Sequence, residues 1–287
     1  MRELGFVGLG NMGGPMTANL LKAGYSLTVF DLAESAMTLQ VQAGARTAAH
    51  PRQVASQAEV VFTSLPTPRA VEAVYLGQDG LLQGAHRGQV FVDLSSITPS
   101  LARQIAGAFG ELGASVLDAP VSGGTTGASA GTLTIMVGGE REALDKVQDM
   151  LKVIGQKIFY VGPSGSGNTV KLVNQLLMGV NTVAAVEALA LTERTGVDMA
   201  LVADIIGVSA GFSRCFQTRF PKGLLRDYSP GFAVDLMSKD LRLVEEFARE
   251  LGVTLFMTSR ARDLFEEASS LGLGRQDVVS ALELYER

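Results

Sequence analysis

Short apolar runs alternate with amphipathic segments through the first half of the chain. The runs are rich in Val, Leu and Phe, and the segments between them repeat their apolar residues at helical spacing. This alternation is typical of a parallel sheet with helices packed on it. The runs are LGFV, SLTVF, EVVFTSL, QVFVDL, SVLDAPV, LTIMVGG and KIFYVG. Two Thr-Pro pairs mark predicted helix starts, with Thr67 and Thr98 as N-caps and Pro68 and Pro99 in the first turn.

The pattern becomes helical after about residue 164. An uninterrupted helix is predicted from about 167 to 195, more than twice the mean helix length in proteins. Further amphipathic stretches lie near 198–207, 232–251, 258–271 and 277–286, and Asp277 is a candidate N-cap for the last one. The predicted fold class is α/β, with a doubly wound sheet over residues 1–163 and an all-helical substrate and oligomerisation domain over 164–287, joined by the long helix.

Composition and net charge restrict the class of ligand that the protein can bind. At 287 residues the chain fits about two domains of roughly 150 residues each. It is 47% hydrophobic and 18% charged, with a formal net charge of −5, so it lacks the basic surface that attracts nucleic acid or an anionic membrane. We therefore expect a small neutral or anionic ligand.

Location and assembly follow from the same composition. The N-terminal stretch lacks the long apolar region of a signal peptide, and no later stretch has about 18 unbroken apolar residues, so we expect a cytoplasmic protein. The single Cys215 cannot form an internal disulfide and is interpreted as a small apolar filler. The long apolar helix and small second domain predict a homodimer or homotetramer, because such a domain rarely covers its own apolar faces.

A glycine-rich turn follows the first predicted strand. In GFVGLGNMGG three glycines have GxGxxG spacing: the first permits a tight turn, the second lets the backbone approach a pyrophosphate, and the third lets a helix pack on the strand. The second predicted strand ends in Asp31, about 20 residues on, where a carboxylate accepts ribose hydroxyls. We predict a Rossmann-type dinucleotide site. Its predicted loop residues are Gly8, Leu9, Gly10, Asn11, Met12 and Gly13.

Asp31 also predicts which nicotinamide cofactor is used. Its carboxylate repels a 2′-phosphate, and no Arg or Lys follows in DLAES to neutralise that group. NAD is therefore favoured over NADP.

Three further loops follow the C-terminal ends of predicted strands, where ligands bind in open parallel sheets. They are SLPTP, whose Leu65 and Pro66 are assigned to the cofactor, DLSSITP, and DAPVSGGTTGASAG. In the last loop, Ser122, Gly123 and Gly124 offer a hydroxyl and unobstructed amides to a carboxylate. A flexible turn is the alternative interpretation of that segment.

Alcohol oxidation by NAD needs a protein group that takes the hydroxyl proton. One cysteine and two histidines are too few for a zinc dehydrogenase, no tyrosine has a lysine four residues later, and His50 and His86 lie in polar segments typical of the surface. Lys171 remains, in the apolar segment TVKLVNQLLMGV. Asn174 and Gln175 share its helix face and can hydrogen-bond the substrate oxygen or hold the lysine head. An ordinary exposed helical lysine is the alternative.

Four segments together resemble the signature segments of the β-hydroxyacid dehydrogenase family, which includes 3-hydroxyisobutyrate dehydrogenase and tartronate semialdehyde (2-hydroxy-3-oxopropionate) reductase. The segments are FVGLGNMGGPMTANL, DAPVSGGTTGASAGTL, GSGNTVKLVNQ and KDLRL. They come in family order and span nearly the whole chain. The departures are small: Thr17 stands where the family usually has Ser or Ala, and Ser96 where many members have Thr.

The resemblance implies a role for each matching residue. Lys171 would transfer the proton, with amide partners at Asn174 and Gln175, and the Ser-Gly-Gly segment would hold the substrate carboxylate. Ser96 would lie near the nicotinamide and the substrate. Three residues would close the site from the helical domain, Phe232 and Asp240 toward the substrate and Lys239 toward the cofactor.

The predicted function is therefore NAD(H)-dependent interconversion of a short 3-hydroxy acid and its semialdehyde. The segments DLSSITP and DAPVSGG and the ending GLGRQDVVSALELYE look most like tartronate semialdehyde reductases. A 3-hydroxyisobutyrate dehydrogenase and a succinic semialdehyde or γ-hydroxybutyrate dehydrogenase are the enzymatic alternatives, and specificity among them depends on a few pocket contacts. Arg214, Arg219 and Lys222 could bind a second acid group, but we expect solvated loop charges there.

Three other classes fit less well, and no metal site is predicted. An inert dinucleotide-binding scaffold would have lost Lys171, which is present. Imine reductases share the two-domain plan but usually lack lysine at that position. A 6-phosphogluconate dehydrogenase would have histidine where Asn174 stands and a much longer helical domain.

Overall fold

The computed structural model describes residues 3–229 and 231–286. The chain divides into two compact units, Met1–Lys171 and Leu172–Arg287. The division falls inside the long helix, because the first turns of that helix pack on strands of the first unit. The boundary between residues 163 and 164, where the helical sequence pattern begins, stays a prediction.

The first unit contains one nine-stranded sheet. Its strands are β1 (Glu3–Val7), β2 (Ser26–Phe30), β3 (Arg46–Thr47), β4 (Val60–Thr63), β5 (Val90–Asp93), β6 (Ser115–Asp118), β7 (Val121–Ser122), β8 (Leu133–Gly138) and β9 (Gly155–Gly162). They lie in the order β3-β2-β1-β4-β5-β6-β8-β7, with β9 paired to β8. All pairs from β3 to β6 are parallel, β8 is antiparallel to β6 and β7, and β9 is parallel to β8. The order 3-2-1-4-5-6 is that of a Rossmann fold.

Both faces of this sheet are buried, as expected for a doubly wound fold. Neighbouring strand residues point to opposite faces. Phe6 and Phe62 therefore enter one apolar core, while Val61, Phe91 and residues of the outer helices enter a second core on the other face. Every apolar run predicted as a strand forms one, and the short strands β3 and β7 were not predicted.

Seven α-helices of the first unit are described before the long helix. They are α1 (Gly13–Lys22), α2 (Glu34–Gln42), α3 (Pro51–Gln57), α4 (Pro68–Leu76), α5 (Pro99–Gly110), α6 (Gly124–Ala130) and α7 (Arg141–Ile154), with a 3₁₀ turn at Leu81–Gly84. The Thr67 and Thr98 hydroxyls cap α4 and α5 as predicted. His50, interpreted from sequence as a surface residue, is half-buried and caps α3 through Nδ1.

The second unit is helical. It contains most of α8 (Ser166–Glu193), then α9 (Met199–Gly207), α10 (Arg214–Leu224), α11 (Val234–Glu250), α12 (Phe256–Ala268), a π turn at Ser269–Leu273 and a 3₁₀ helix at Val278–Tyr285. Leu241 of α11 and Phe265 of α12 pack in one core, while Leu189 and Phe220 pack in another. The predicted fold class, a Rossmann-type sheet followed by an all-helical domain with a long connecting helix, is confirmed.

The segment 209–223 differs from its prediction as a loop with solvated charges. Its second half forms α10, because Phe216 and Phe220, four residues apart, bury one face of a helix. Arg219 donates to both oxygens of the fully buried Asp277 at 2.9 Å, and the Lys222 Nζ lies 3.3 Å from the same carboxylate. These two charges are therefore paired within the unit.

Asp277 is the polar centre of the second unit. Besides the two cations, its carboxylate accepts the backbone N–H groups of Gly231 at 2.9 Å, Phe232 at 3.1 Å and Val279 at 3.2 Å. The last bond is the predicted N-cap, here on a 3₁₀ helix. One buried carboxylate thus links α10, the segment before α11 and the final helix.

We expect Asp277→Ala to destabilise the protein by about 3–5 kcal/mol, because the substitution leaves two cations and several amides without their shared acceptor. The measurement is urea-induced unfolding followed by circular dichroism. Asp145→Ala removes an exposed carboxylate, 3.5 Å from Arg141, and we expect it to cost less than about 1 kcal/mol. Equal losses in the two variants would contradict this role for Asp277.

Candidate active site and cofactor site

The turn after β1 is built from glycines that differ in purpose. Gly8 has a φ of +90°, and a Cβ there would lie 2.3 Å from the carbonyl oxygen of Ser64. A Cβ on Gly13 would lie 1.9 Å from the carbonyl oxygen of Gly8, so only glycine lets α1 start so close to the strand. A Cβ on Gly10 would meet nothing within 4 Å. The backbone at Gly10 is therefore open to a ligand.

Helix α1 begins beside this opening without a side-chain cap. Met12 precedes it and gives no side-chain cap, whereas the side chains of His50, Thr67 and Thr98 cap α3, α4 and α5. The first N–H groups of a helix and its positive dipole end attract anions. This turn can therefore hold a pyrophosphate.

Asp31 lies at the end of β2, beside the same turn. Its Oδ2 accepts the N–H of Leu9 at 2.6 Å and its Oδ1 accepts the N–H of Ala33 at 2.8 Å. Each carboxylate oxygen has a second lone pair for a ribose hydroxyl. The next residue, Leu32, is 92% exposed, and no described cation pairs with Asp31. The turn, the uncapped helix and this carboxylate together fit a dinucleotide such as NAD.

Other predicted residues follow the carboxyl ends of neighbouring strands. Leu65 and Pro66 come after β4, where the Leu65 N–H donates to Ser95 Oγ at 2.9 Å. Ser96 comes after β5 and is half-buried. Since β1, β2, β4 and β5 are parallel, these loops and the glycine turn lie along one edge of the sheet.

The Ser-Gly-Gly segment joins β7 to α6. Ser122 ends β7 and is half-buried, and Gly123 and Gly124 have φ values of +137° and +63°. Such values favour glycine, and α6 begins there without a side-chain cap. The segment therefore presents a hydroxyl and backbone amides. Its role toward a substrate carboxylate stays a prediction.

The start of α8 carries Lys171, which is only 6% exposed. Asn174 and Gln175 follow it by three and four residues on the same continuous helix, so the three lie on one side of it. Gln175 is buried and Asn174 half-buried. The alternative of an ordinary exposed helical lysine is inconsistent with this burial.

Two residues that the sequence analysis passed over lie at the same helix start. Asp118 accepts the N–H groups of Gly165 at 2.7 Å and Asn168 at 2.8 Å, and Asn168 Oδ1 accepts the N–H of Ile97 at 2.9 Å. Both residues stand inside quoted segments, DAPVSGG and GSGNTVK. The sequence signal for Asp118 and Asn168 was a polar residue inside each of these segments.

Asp118 stands opposite Asp93 in the parallel pair β5 and β6. Burial raises the pKa of Asp118 to about 6, the N–H donors of Asn168 and Gly165 oppose the rise, and the charge of Asp93 adds to it. Burial also raises the pKa of Asp93, against hydrogen bonds from Ser95 and Thr63. The charge of Asp93 therefore disfavours ionisation of Asp118.

The remaining predicted residues lie in the second unit. Gln175 Nε2 donates to Asp240 Oδ2, and Asn174 Nδ2 donates to Gln175 Oε1 at 2.9 Å. Lys239 Nζ lies 2.9 Å from Asp240 Oδ1. Phe232 is fixed through its backbone, which bonds Asp277 and Val278. The structure thus joins Asn174, Gln175, Lys239 and Asp240, and the assignment of Lys239 to the cofactor stays a prediction.

Two further features of the described residues bear on the class of protein. No group of three or more His, Cys, Asp or Glu side chains there could hold a metal ion. By length and composition alone, the 28-residue helix α8 could cross a membrane, a criterion that the core helix of a soluble protein also meets. Asn168, Lys171 and Gln175 are buried polar residues on that helix and would be costly in lipid.

The fold and the dinucleotide turn define an NAD-binding oxidoreductase. Residues 3–162 match the family model of the NAD binding domain of 6-phosphogluconate dehydrogenase, and residues 165–285 match that described as NAD-binding of NADP-dependent 3-hydroxyisobutyrate dehydrogenase. The chain belongs to the β-hydroxyacid dehydrogenase family and is an NAD(P)-dependent dehydrogenase of that family. The resemblance seen in the four segments is thereby confirmed.

Similar proteins act on different hydroxyacids. The 2-(hydroxymethyl)glutarate dehydrogenase of Eubacterium barkeri is 42% identical over 99% of this chain and 95% of its own. The NAD-dependent L-serine dehydrogenase of Pseudomonas aeruginosa is 41% identical over 100% of this chain and 98% of its own. The structure of Mycobacterium tuberculosis 3-hydroxyisobutyrate dehydrogenase with L-serine is similar with a TM-score of 0.94 at 31% identity, covering 100% of both chains.

We expect the protein to prefer NADH to NADPH and Asp31→Asn to reduce that preference by about tenfold, because the substitution removes the charge that repels a 2′-phosphate. The measurement is kcat/KM with each cofactor. Glu72→Gln removes an exposed carboxylate from α4 and should leave the ratio unchanged. A wild-type protein that uses NADPH about tenfold better than NADH would contradict this interpretation of Asp31.

Proposed function

We propose that the protein interconverts a short 3-hydroxy acid and its semialdehyde with NAD(H), and that Lys171 is the general acid and base. The observation that carries the proposal is the burial of Lys171 on the same side of α8 as Asn174 and Gln175. A buried lysine is held away from bulk water, as proton transfer to a substrate oxygen requires. This burial argues against an inert dinucleotide-binding scaffold.

Each residue has a separate task in this mechanism. Bound nicotinamide supplies hydride transfer. Lys171 Nζ takes the hydroxyl proton during oxidation and returns it during reduction. Asn174 and Gln175 orient the substrate oxygen, and Asp240 holds the Gln175 amide through their hydrogen bond. Ser122 and the two glycines after it bind the carboxylate.

The hydroxyacids in the names of the similar proteins share one chemical frame. 2-(Hydroxymethyl)glutarate, L-serine and 3-hydroxyisobutyrate each contain a carboxylate, a carbon that carries a variable group, and a hydroxymethyl group. We infer that this chain recognises the same frame, with a carboxylate site and a proton donor at fixed separation. The group on the middle carbon then distinguishes one substrate from another.

Within this frame we propose tartronate semialdehyde, which is reduced to glycerate, as the substrate. The segments DLSSITP and DAPVSGG support this choice. L-serine is the second candidate, since two of the similar proteins are named for it or contain it. γ-Hydroxybutyrate has its hydroxyl one carbon further from the carboxylate and fits the frame less well.

We also propose a homodimer or homotetramer. Val173, Leu177 and Leu191 of α8 are more than half exposed, and apolar residues exposed along one helix are typical of subunit contacts. A cytoplasmic location stays a prediction.

We expect Lys171→Ala to lower kcat by about two orders of magnitude and to leave NADH affinity unchanged, because the substitution removes only the proton-transferring group. The measurements are steady-state kinetics and NADH fluorescence titration. Lys146→Ala changes a lysine of α7 and serves as the control. An almost unchanged kcat in Lys171→Ala would assign the proton transfer to another group.

We expect Ser122→Ala to raise KM for carboxylate substrates by about tenfold and to affect neutral aldehydes less, because the substitution removes one donor to the carboxylate. The carboxylate substrates are tartronate, methylmalonate and succinate semialdehydes and glyoxylate, with L-serine and 2-(hydroxymethyl)glutarate tested in the oxidative direction, and the neutral aldehydes are glycolaldehyde and propionaldehyde. Thr125→Ala, an exposed change on α6, is the control. An equal rise of KM for neutral aldehydes would rule out carboxylate binding by Ser122.

A further inference from the structure

The N-terminus of α8 is capped by a carboxylate from a distant strand. Gly165 precedes the helix and has no side chain, while Asp118 accepts its N–H through Oδ1 and the N–H of Asn168, the third helical residue, through Oδ2. In a local capping box the helix's own side chains satisfy these same two donors. Here Asp118 of β6 satisfies both.

The start of α8 approaches α5 and the sheet too closely for side chains at Gly165 and Gly167. Gly165 has a φ of +89°, and a Cβ there would lie 2.9 Å from the carbonyl oxygen of Pro99. A Cβ on Gly167 would lie 2.3 Å from the carbonyl oxygen of Met136 and 2.4 Å from that of Asp118. Only glycines fit at these two positions, so neither residue can supply a capping side chain, and Asp118 accepts the two N–H groups instead.

Asn168 connects the same helix start to the loop after β5. Its side chain is fully buried, and its Oδ1 accepts the N–H of Ile97, the residue after Ser96. Its Nδ2 lies 3.5 Å from Asp118 Oδ2. The first helical turn is therefore tied to β6 and to the loop of Ser96 at one residue.

The placement of Asp118 opposite Asp93 lowers the stability of the fold. Asp93 and Asp118 lie opposite each other in register, and both are almost completely buried. Burial disfavours the charged form of both carboxyl groups, and a pair of neutral side chains would avoid this penalty. Local features that reduce stability are most often found at functional sites.

Lys171 follows Asn168 by three residues, a rise of about 4.5 Å along the helix. Residues three apart share a helix face, and both side chains are buried. The rotation of α8 about its axis, which the bonds of Asn168 and Asp118 set, therefore also sets the direction of the Lys171 side chain.

We propose that Asp118 and Asn168 are positioning residues that place Lys171 for proton transfer. They act through the backbone of α8 and the loop of Ser96. This inference rests on the function proposed above for Lys171.

Asp118→Asn and Asn168→Ala test the proposal. An asparagine at 118 keeps the size of the side chain but has one acceptor oxygen, so one of the two backbone donors faces an amide NH₂ group. Alanine at 168 removes the bond to Ile97. Thr169→Val is the matched control, because it removes a hydrogen bond on the same turn, from Thr169 Oγ1 to the Gly165 carbonyl, without touching β6 or the loop of Ser96.

Four properties are measured on each full-length variant after its folding has been checked by circular dichroism. We expect faster amide hydrogen exchange in the peptide that covers 165–171, a kcat about tenfold lower and a shifted pH profile of kcat, with NADH affinity unchanged. A purely structural role would not move the pH profile. Thr169→Val should behave as wild type in all four measurements.

The outcomes separate the two proposals. A wild-type kcat and pH profile in Asp118→Asn and Asn168→Ala would overturn the positioning role, and so would equal effects in Thr169→Val. Lys171→Ala is measured alongside. If it loses kcat while the other variants do not, only the positioning proposal is wrong; if it keeps kcat, the function proposed for Lys171 is wrong.

Discussion

The carboxylate of Asp118 is the interaction on which the candidate active site depends. It ends a central strand, accepts two N–H groups at the start of a 28-residue helix, and contacts the amide of Asn168. Glycines at 165 and 167 allow this helix to begin directly on the strands, and they also remove the side chains that would normally cap it. The first N–H groups of a helix that begins so close to a sheet need acceptors, and here the sheet supplies them.

The glycine turn before α1 differs from the start of α8, because no side chain caps the helix that follows it. Side chains cap α3, α4 and α5, whereas α1 is among the helices without a side-chain cap, as are α2 and α6. The amides of that helix start remain available to a phosphate, and Gly10 keeps the approach open. Asp31 holds the turn in shape through Leu9 while retaining capacity for a ribose. We propose that the cap on α8 and the open N-terminus of α1 serve two parts of the same reaction.

The second unit also relies on buried carboxylates. Asp277 pairs with two cations and accepts several backbone N–H groups, and one of these bonds fixes the backbone of Phe232. Asp240 instead holds the amide of Gln175, four residues after Lys171 on α8. The first carboxylate organises a fold, whereas the second orients a side chain that we assign to the substrate. Their partners, rather than their burial, distinguish these two roles.

The sequence by itself determined whatever depends on neighbours along the chain. Strand runs, the GxGxxG turn, the Thr-Pro caps and the helical spacing of Lys171, Asn174 and Gln175 are local patterns, because each arises from periodicity or backbone geometry within a few residues. Only the tertiary structure decided which distant groups meet. Asp118 lies about 50 residues from Asn168 and Asp277 lies 58 residues from Arg219, so no local spacing indicates either pair. The pairing of Arg219 and Lys222 with Asp277 escaped prediction for the same reason, since the sequence does not show which distant carboxylate folds beside a given cation. The helix α10 is different, because the spacing of Phe216 and Phe220 was a local signal that the sequence analysis missed.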